Sequence, residues 1–314
     1  KEGNKTKYQT EGGIGLLSTN LTFQGPIQKN KSSFIISARR SHINLLLKPL
    51  TSKTTSYTFY DFNAKMNYEL GKRDHVFFSF FKGNDNAAYT AANSLNYNTD
   101  FGNTTATLRW NHLFGNKIFS NSSVIYNDYH LGLGSTQNNY YEVLYTGIKD
   151  VNTKTDITYT PNNKHKIKTG FTYTYHTLIP AGISSRVPTR TKRVTINKDS
   201  ITKRLSNEFA FYAGDEFDIS GKLSLNYGVR IPVFFTSNAN YSFLEPRVTT
   251  KVSLNNTTSV KGSWTLMNQF LHSVPNSTAS LPTDIWLSSS ARIKPQKSSQ
   301  VALGLFKNLK DNSI

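Results

Sequence analysis

In the stretch YDFNAKMNYEL, residues 60 to 70, the side chains of Tyr60, Phe62, Ala64, Met66, Tyr68 and Leu70 occupy one set of alternate positions, and Asp61, Asn63, Lys65, Asn67 and Glu69 occupy the other. A period of two puts the two sets on opposite faces of a strand. The same alternation runs through KLSLNYGVRIPV (222–233), KIKTGFTYTYHT (166–177) and FLEPRVTTKVSL (243–254). Such runs of roughly ten to twelve residues exceed the ~5 or 6 of ordinary globular strands and match the ~9 to 11 that a tilted strand needs to cross a bilayer.

The connections alternate too. Short turn signals at QKNKS (28–32), GKRD (71–74), GNK (115–117), PNNK (161–164), SGK (220–222) and NNTT (255–258) are rich in Gly, Asn, Pro or Lys. Between them lie longer connections, at 41–56, 84–100, 178–202, 235–242 and 270–297. Short turns at one end and long loops at the other predict an all-β fold, an antiparallel transmembrane β-barrel meander, with residues 1–314 forming a single barrel domain. The pattern predicts roughly 13 strands, the last near 298–309. An odd number would leave an apolar edge unpaired in lipid, so the expectation is an incomplete part of a larger barrel. The competing arrangement is a soluble β-sandwich, whose apolar face would pack on a second sheet.

In the barrel reading Phe62, Met66 and Leu70 face lipid, with Tyr60 or Tyr68 near an interfacial girdle. Asp61, Lys65 and Glu69 then line the lumen, where mixed charge suits a polar filling better than a dry core.

Composition supports strands and turns: 17 Tyr and 20 Phe accompany abundant Asn, Thr and Ser. No apolar run reaches the ~18 residues of a transmembrane helix. Cysteine is absent, which excludes disulfides and thiolate chemistry in this chain. The net charge of +18 comes from basic residues spread along the sequence. No RNP, zinc-finger or helix-turn-helix signature accompanies it, so nucleic acid is not an expected partner. Anionic lipopolysaccharide or an anionic solute explains the charge instead.

No P-loop, dinucleotide fingerprint, HExxH or GxSxG sequence occurs, and the seven dispersed His residues form no metal spacing. No cofactor, metal site or catalytic residue is therefore expected. The nearest approach to a catalytic grouping is NDYHLGLGS (127–135), where Asp128 and His130 share a face and Ser135 follows in an expected outer loop. Ordinary wet-face polarity is the commoner meaning of such a group. The basic loop residues Arg186, Arg190, Lys192 and Arg193 could fork onto carboxylate or phosphate groups of an anionic substrate, or bind lipopolysaccharide phosphates.

Arg230, Arg247, Lys251 and Lys261 are expected to face the lumen, positioned to contact a substrate or to pair with Asp61, Glu69, Glu245 or a plug. RRSHINLLLKPL (39–50) breaks the alternation, as a short helix or an apolar loop at the barrel mouth would. Trp286, at the end of the Pro-containing 274–286 segment of an expected outer loop, is either an interfacial anchor or a substrate-stacking surface.

Three stretches carry a family resemblance: GGIGLLSTNLTFQGPIQKNKSSFIISARRSHINLL, YTFYDFNAKMNYELGKRDHVFFSFFKGND, and the segment from LEPRVTTKVSL (244–254) to GLFKN (304–308). They resemble TonB-dependent receptors of the Bacteroidetes outer membrane, in the group that carries a carboxypeptidase-like regulatory domain ahead of the plug. The resemblance implies a 22-stranded barrel, of which this chain matches one part. It also implies a plug domain, a TonB box engaging an energy-transducing complex, and import of a bulky solute. A surface lipoprotein partner is compatible with it. The alternative is a plugless outer-membrane channel, or a structural barrel subunit of an envelope secretion or assembly complex.

Overall fold

The computed structural model describes residues 2–47, 55–91, 95–137, 140–188, 193–195, 203–274 and 285–308. Its strands are β1 (Gln9–Ile14), β2 (Ser18–Gln28), β3 (Ser32–Ser41), β4 (Thr55–Glu69), β5 (Asp74–Thr90), β6 (Asn96–Leu113), β7 (Ile118–Gln137), β8 (Tyr140–Tyr159), β9 (His165–Pro188), β10 (Arg193–Thr195), β11 (Arg204–Ser220), β12 (Leu223–Thr236), β13 (Asn240–Ser242), β14 (Glu245–Ser253), β15 (Thr258–Gln269), β16 (Leu271–Val274), β17 (Ile285–Ser288) and β18 (Gln296–Lys307), with one helix, α1 (Ile43–Leu47), between β3 and β4. A 16-stranded antiparallel sheet runs β1-β2-β3-β4-β5-β6-β7-β8-β9-β11-β12-β14-β15-β18, with β10 on β9 and β13 on β12. Hairpin follows hairpin, so each strand pairs with its neighbour in sequence apart from these short insertions. The unbroken path holds one strand more than the alternation predicts.

The turns at one end form for local reasons. Asn162 Oδ1 accepts from the amides of Lys164 (2.9 Å) and His165 (3.1 Å), and Asn255 Oδ1 accepts from those of Thr257 (2.9 Å) and Thr258 (2.8 Å). These Asx turns close the β8–β9 and β14–β15 hairpins. Asn30 turns β2 into β3 with φ of 64°, a conformation Asn tolerates better than most residues.

Register assigns the two faces. Phe62 pairs with Ala38 and Lys82, Met66 with Phe34 and Phe78, and Phe78 with Leu108, which pairs with Val124. The same face continues through Val151, Tyr175, Phe171, Phe211 and Ile231 to Val248, Trp264 and Val301. Large apolar groups stand open along it, from Leu21 and Phe62 to Leu303 at 82% exposure. Among the described residues the only other sheet is the two-stranded β16–β17, so no second sheet covers that face as a sandwich requires.

Tyr68 and Trp110 mark the short-turn end of this apolar face and Tyr60 its far side. Tyr60 and Tyr68 are eight residues apart, or about 27 Å of strand, comparable with the roughly 25 Å apolar band of an outer-membrane barrel.

The opposite face is polar and holds the small core. Leu131, Leu178, Ala210 and Phe234 are buried there, with Phe270 stacked on Phe234 at 4.6 Å between centroids. The connection after β15 folds back over Phe234 and towards β9 and β8. Ser289 donates its amide to the Phe270 carbonyl (2.7 Å), Tyr241 donates to the Ser290 carbonyl (2.6 Å), and β17 rests against β9 and β8.

Two expected loops, and the expected loop position of Ser135, are mostly strand. Residues 84–100 form the far ends of β5 and β6, the 178–202 connection includes β9 as far as Pro188 together with β10, and the 127–135 stretch lies within β7. Their outward-facing residues, such as Asn84, Asn98 and His130, are polar, so the apolar outward stripe of the lower strands is missing from them although Leu131 and Leu178 are buried on the opposite face. Where β8 meets β9, Pro180 cannot donate to the ladder and the register shifts between Tyr145 and Gly147. Thr146 Oγ1 then donates to the carbonyls of Ile179 (2.9 Å) and Pro180 (3.1 Å).

Candidate functional site: the polar face

Strands β8 to β15 bring one row of charges together. His176 pairs through Nδ1 with Asp150 (2.7 Å), and its Nε2 lies 3.8 Å from Glu208. Arg230 then bridges Glu208 (2.9 Å) and Glu245 (3.0 Å). Glu245 is buried at 1% exposure, and its other oxygen accepts from the Asn268 amide (2.7 Å) and side chain (3.1 Å). Each pair is made across neighbouring strands, so the register, not proximity in sequence, assembles the row. A guanidinium between two carboxylates offsets the desolvation that an isolated buried Glu245 would suffer.

A second patch lies on the same face at the long-connection end of β3, β4 and β5. Arg39 donates through Nε to Asp61 (2.6 Å) and stacks its guanidinium 5.0 Å from the Phe59 ring. Tyr57 donates to Asp85 (2.8 Å). With Phe81 and Gly83 these residues line a shallow cavity of about 320 Å³. Aromatic rings beside an exposed arginine and two carboxylates can hold a solute with both planar and polar parts. Helix α1 is tied beside this patch, since Asn44 Oδ1 accepts from the Tyr57 amide (2.8 Å) and its Nδ2 donates to Ser56 (2.9 Å).

The sequence-marked residues are distributed as follows. Asp61, Lys65 and Glu69 all lie on the polar face; Glu69 pairs with Lys5 (2.6 Å) and Lys65 is exposed. Arg230 and Glu245 meet, whereas Arg247 and Lys251 stand exposed further along β14. Lys261 Nζ sits 4.5 Å from the Phe306 ring. Arg186 is on β9 and Arg193 on β10, joined by a hairpin in which Arg193 pairs with Pro188 and Thr195 with Arg186; Arg190 and Lys192 lie outside the described residues. Trp286 is half-buried on β17, opposite Ser273.

Asp128 and His130 do share a face, but His130 pairs with Asp100 (3.1 Å) while Asp128 pairs with Lys149 (2.8 Å). Ser135, an odd-numbered residue of β7, points to the other face, so the three never converge. Sequence reasoning missed Arg39, Tyr57, Phe59, Asp85, Asp150, His176 and Glu208. Their partners are 15 to 30 residues away or more, and only a known strand register would have joined them.

No protein-family model matches the sequence, and no curated sequence matches it. The fold does have relatives among solved structures. The chain is similar to the ferric preacinetobactin receptor BauA of Acinetobacter baumannii (TM-score 0.66, 13% identity, 98% of this chain and 53% of that one). It is also similar to the copper transporter OprC (TM-score 0.69, 11% identity, 99% and 52%) and to the ferric yersiniabactin uptake receptor FyuA of Yersinia pestis (TM-score 0.68, 11% identity, 99% and 53%). At such identities the likeness is one of fold, and the chain spans about half the length of these proteins. It has the antiparallel meander of part of an outer-membrane receptor barrel, in which the apolar face is the outer wall and the polar face the lumen.

Proposed function

We propose that this chain is part of a TonB-dependent receptor of the bacterial outer membrane, which binds a bulky solute at its extracellular end and imports it through a plugged barrel. The observation that carries the reading is the division of one long meander into an open apolar face and an ion-paired polar face, in the fold of receptors for ferric siderophores and a copper transporter. A solute would meet the Arg39–Phe59–Tyr57 patch and the loops bearing Arg186, Arg190, Lys192, Arg193 and Trp286. Arg230, Glu245, Arg247, Lys251, Asp61, Lys65 and Glu69 would face the receptor's own plug and the passing solute. The sequence resemblance supports the Bacteroidetes type, a regulatory domain ahead of the plug and a surface lipoprotein partner; the outer wall would contact lipid and lipopolysaccharide. The role is transport, not catalysis.

Two measurements test it. The intact mass of the native protein, extracted from membranes in detergent, is expected to be roughly twice that of this chain or more, because the chain spans 53% of such a receptor. Uptake of radiolabelled ferric siderophores by cells expressing the protein is expected to stop when an uncoupler collapses the proton-motive force. Uptake that survives the uncoupler would favour a passive channel, and a mass equal to this chain alone would remove the plug and with it the receptor reading.

A further inference from the structure

The outer wall carries a second feature that import does not use. Above the apolar band the ladder continues, flanked by β5 and β9, and the outward side chains of β6, β7 and β8 form matched rungs. Asn96 pairs with Thr136 and Thr136 with Tyr141; Asn98 pairs with Gly134 and Gly134 with Val143; Asp100 pairs with Gly132 and Gly132 with Tyr145. Every rung thus has a polar side chain on β6, a small residue on β7 and an aromatic or aliphatic one on β8. With strands ~4.8 Å apart, the two rows of larger side chains stand almost 10 Å from each other across a floor of Gly132 and Gly134, with Thr136 at one end. Together with His130 these residues line a trough of about 520 Å³. Leu108 and Val124 belong to the same face, so the trough opens outward from the barrel and not into the lumen.

The closed end is built. Asp100 accepts from Asn84 (2.9 Å), Asn86 (3.4 Å) and His130 (3.1 Å). A Cβ at Gly102 would lie 2.4 Å from Asn84 Oδ1 and 2.8 Å from His130 Cε1, so glycine is what lets that group close. By contrast a Cβ at Gly132 meets nothing nearer than 3.8 Å. The floor is open space, not a tight backbone contact.

We propose that this trough is a glycan-binding groove, taking a neutral oligosaccharide. Tyr141 and Tyr145 offer rings for the apolar faces of sugars, and Tyr141 is 45% exposed. The exposed amides of Asn96 and Asn98 supply both donors and acceptors for hydroxyls. The carboxylate of Asp100 repels phosphate and acidic sugars, which selects uncharged ones. The position is just outside the lipid boundary, where core sugars of lipopolysaccharide lie and where free glycans also arrive.

The test is binding by the full native protein in detergent. Probes are maltohexaose, mannohexaose, xylohexaose and chitohexaose, and dephosphorylated core oligosaccharide released from the host's own lipopolysaccharide. Wild-type protein is expected to bind at least one of them. Gly132→Val, which fills the floor at a position where a strand favours a β-branched residue, should weaken that binding at least tenfold, and Tyr141→Ala should do likewise. Both variants should still reach the outer membrane in normal amount. Binding of the core oligosaccharide alone identifies the lipopolysaccharide as the source, and binding of the free hexasaccharides identifies an external glycan; either supports the groove. No binding by wild type, or undiminished binding by both variants, overturns it.

Discussion

The lower part of β5–β8 and their far ends belong to one hydrogen-bonded ladder, yet they obey different rules. In the lower part Leu108, Val151 and Ile157 alternate with polar neighbours, as expected where, on the proposed function, one side of the wall meets lipid and the other the lumen. Beyond Phe80, Tyr126 and Val151 the same outward face turns to Lys82, Asn84, Asp128, His130 and Lys149. The outward face is polar there and joined by hydrogen bonds and ion pairs, while the opposite face still buries Leu131. Backbone pairing alone does not require alternation; an apolar medium on one side does.

The largest effect that would break this contrast lies in the lumen. Arg230→Ala leaves Glu245 buried without its cation and is expected to cost about 3–5 kcal/mol in urea unfolding from detergent or vesicles. Were the row merely solvated, the cost would stay below ~1 kcal/mol. Next comes the outer wall itself. Phe211→Lys, within the band, should cost ~2–4 kcal/mol, while Val143→Lys, on the same face above it, should stay within roughly 0.5 kcal/mol. Equal costs at the two positions would deny that lipid covers only the lower part.

The smallest effect is a pH dependence in the extension. Burial pushes the Asp100 carboxyl up, but hydrogen bonds from Asn84, Asn86 and His130 outweigh it and hold the group below the ordinary carboxylate range. A lowered value contributes stability that is present above the unfolded pKa of about 4 and lost as pH falls through the folded one. Asp100→Asn should therefore flatten the acid limb of the stability profile below about pH 4, by a small amount since the group is partly exposed. A wild-type acid limb retained in that variant would contradict the assignment.

The same contrast explains what the sequence reveals. The spans of β4, β9, β12 and β14 are legible because Phe62, Phe171, Ile231 and Val248 recur at period two, and the turns at Asn162 and Asn255 are legible because their side chains make the turn. The ends of β5, β6 and β7 are not legible, since outward residues such as Asn84, Asn98 and Gly132 look like loop once the outward face is no longer apolar. Site residues follow a similar rule. The sequence places Arg230 and Glu245 on one polar face, but their meeting, and the part of Glu208 and His176, depends on cross-strand register. The grouping of Asp128, His130 and Ser135 dissolves for the same reason.

The absence of cysteine permits a direct test of the two-faced wall. Single substitutions through β4, from Tyr60→Cys to Tyr68→Cys, would each carry a spin label in native membranes, with relaxation by oxygen and by a water-soluble nickel chelate measured at every position. The account predicts oxygen contact at Phe62, Ala64 and Met66 and nickel contact at Asp61, Asn63 and Lys65, alternating with period two. Uniform access of the nickel chelate to both sets would contradict it, because the apolar face would then meet water instead of lipid.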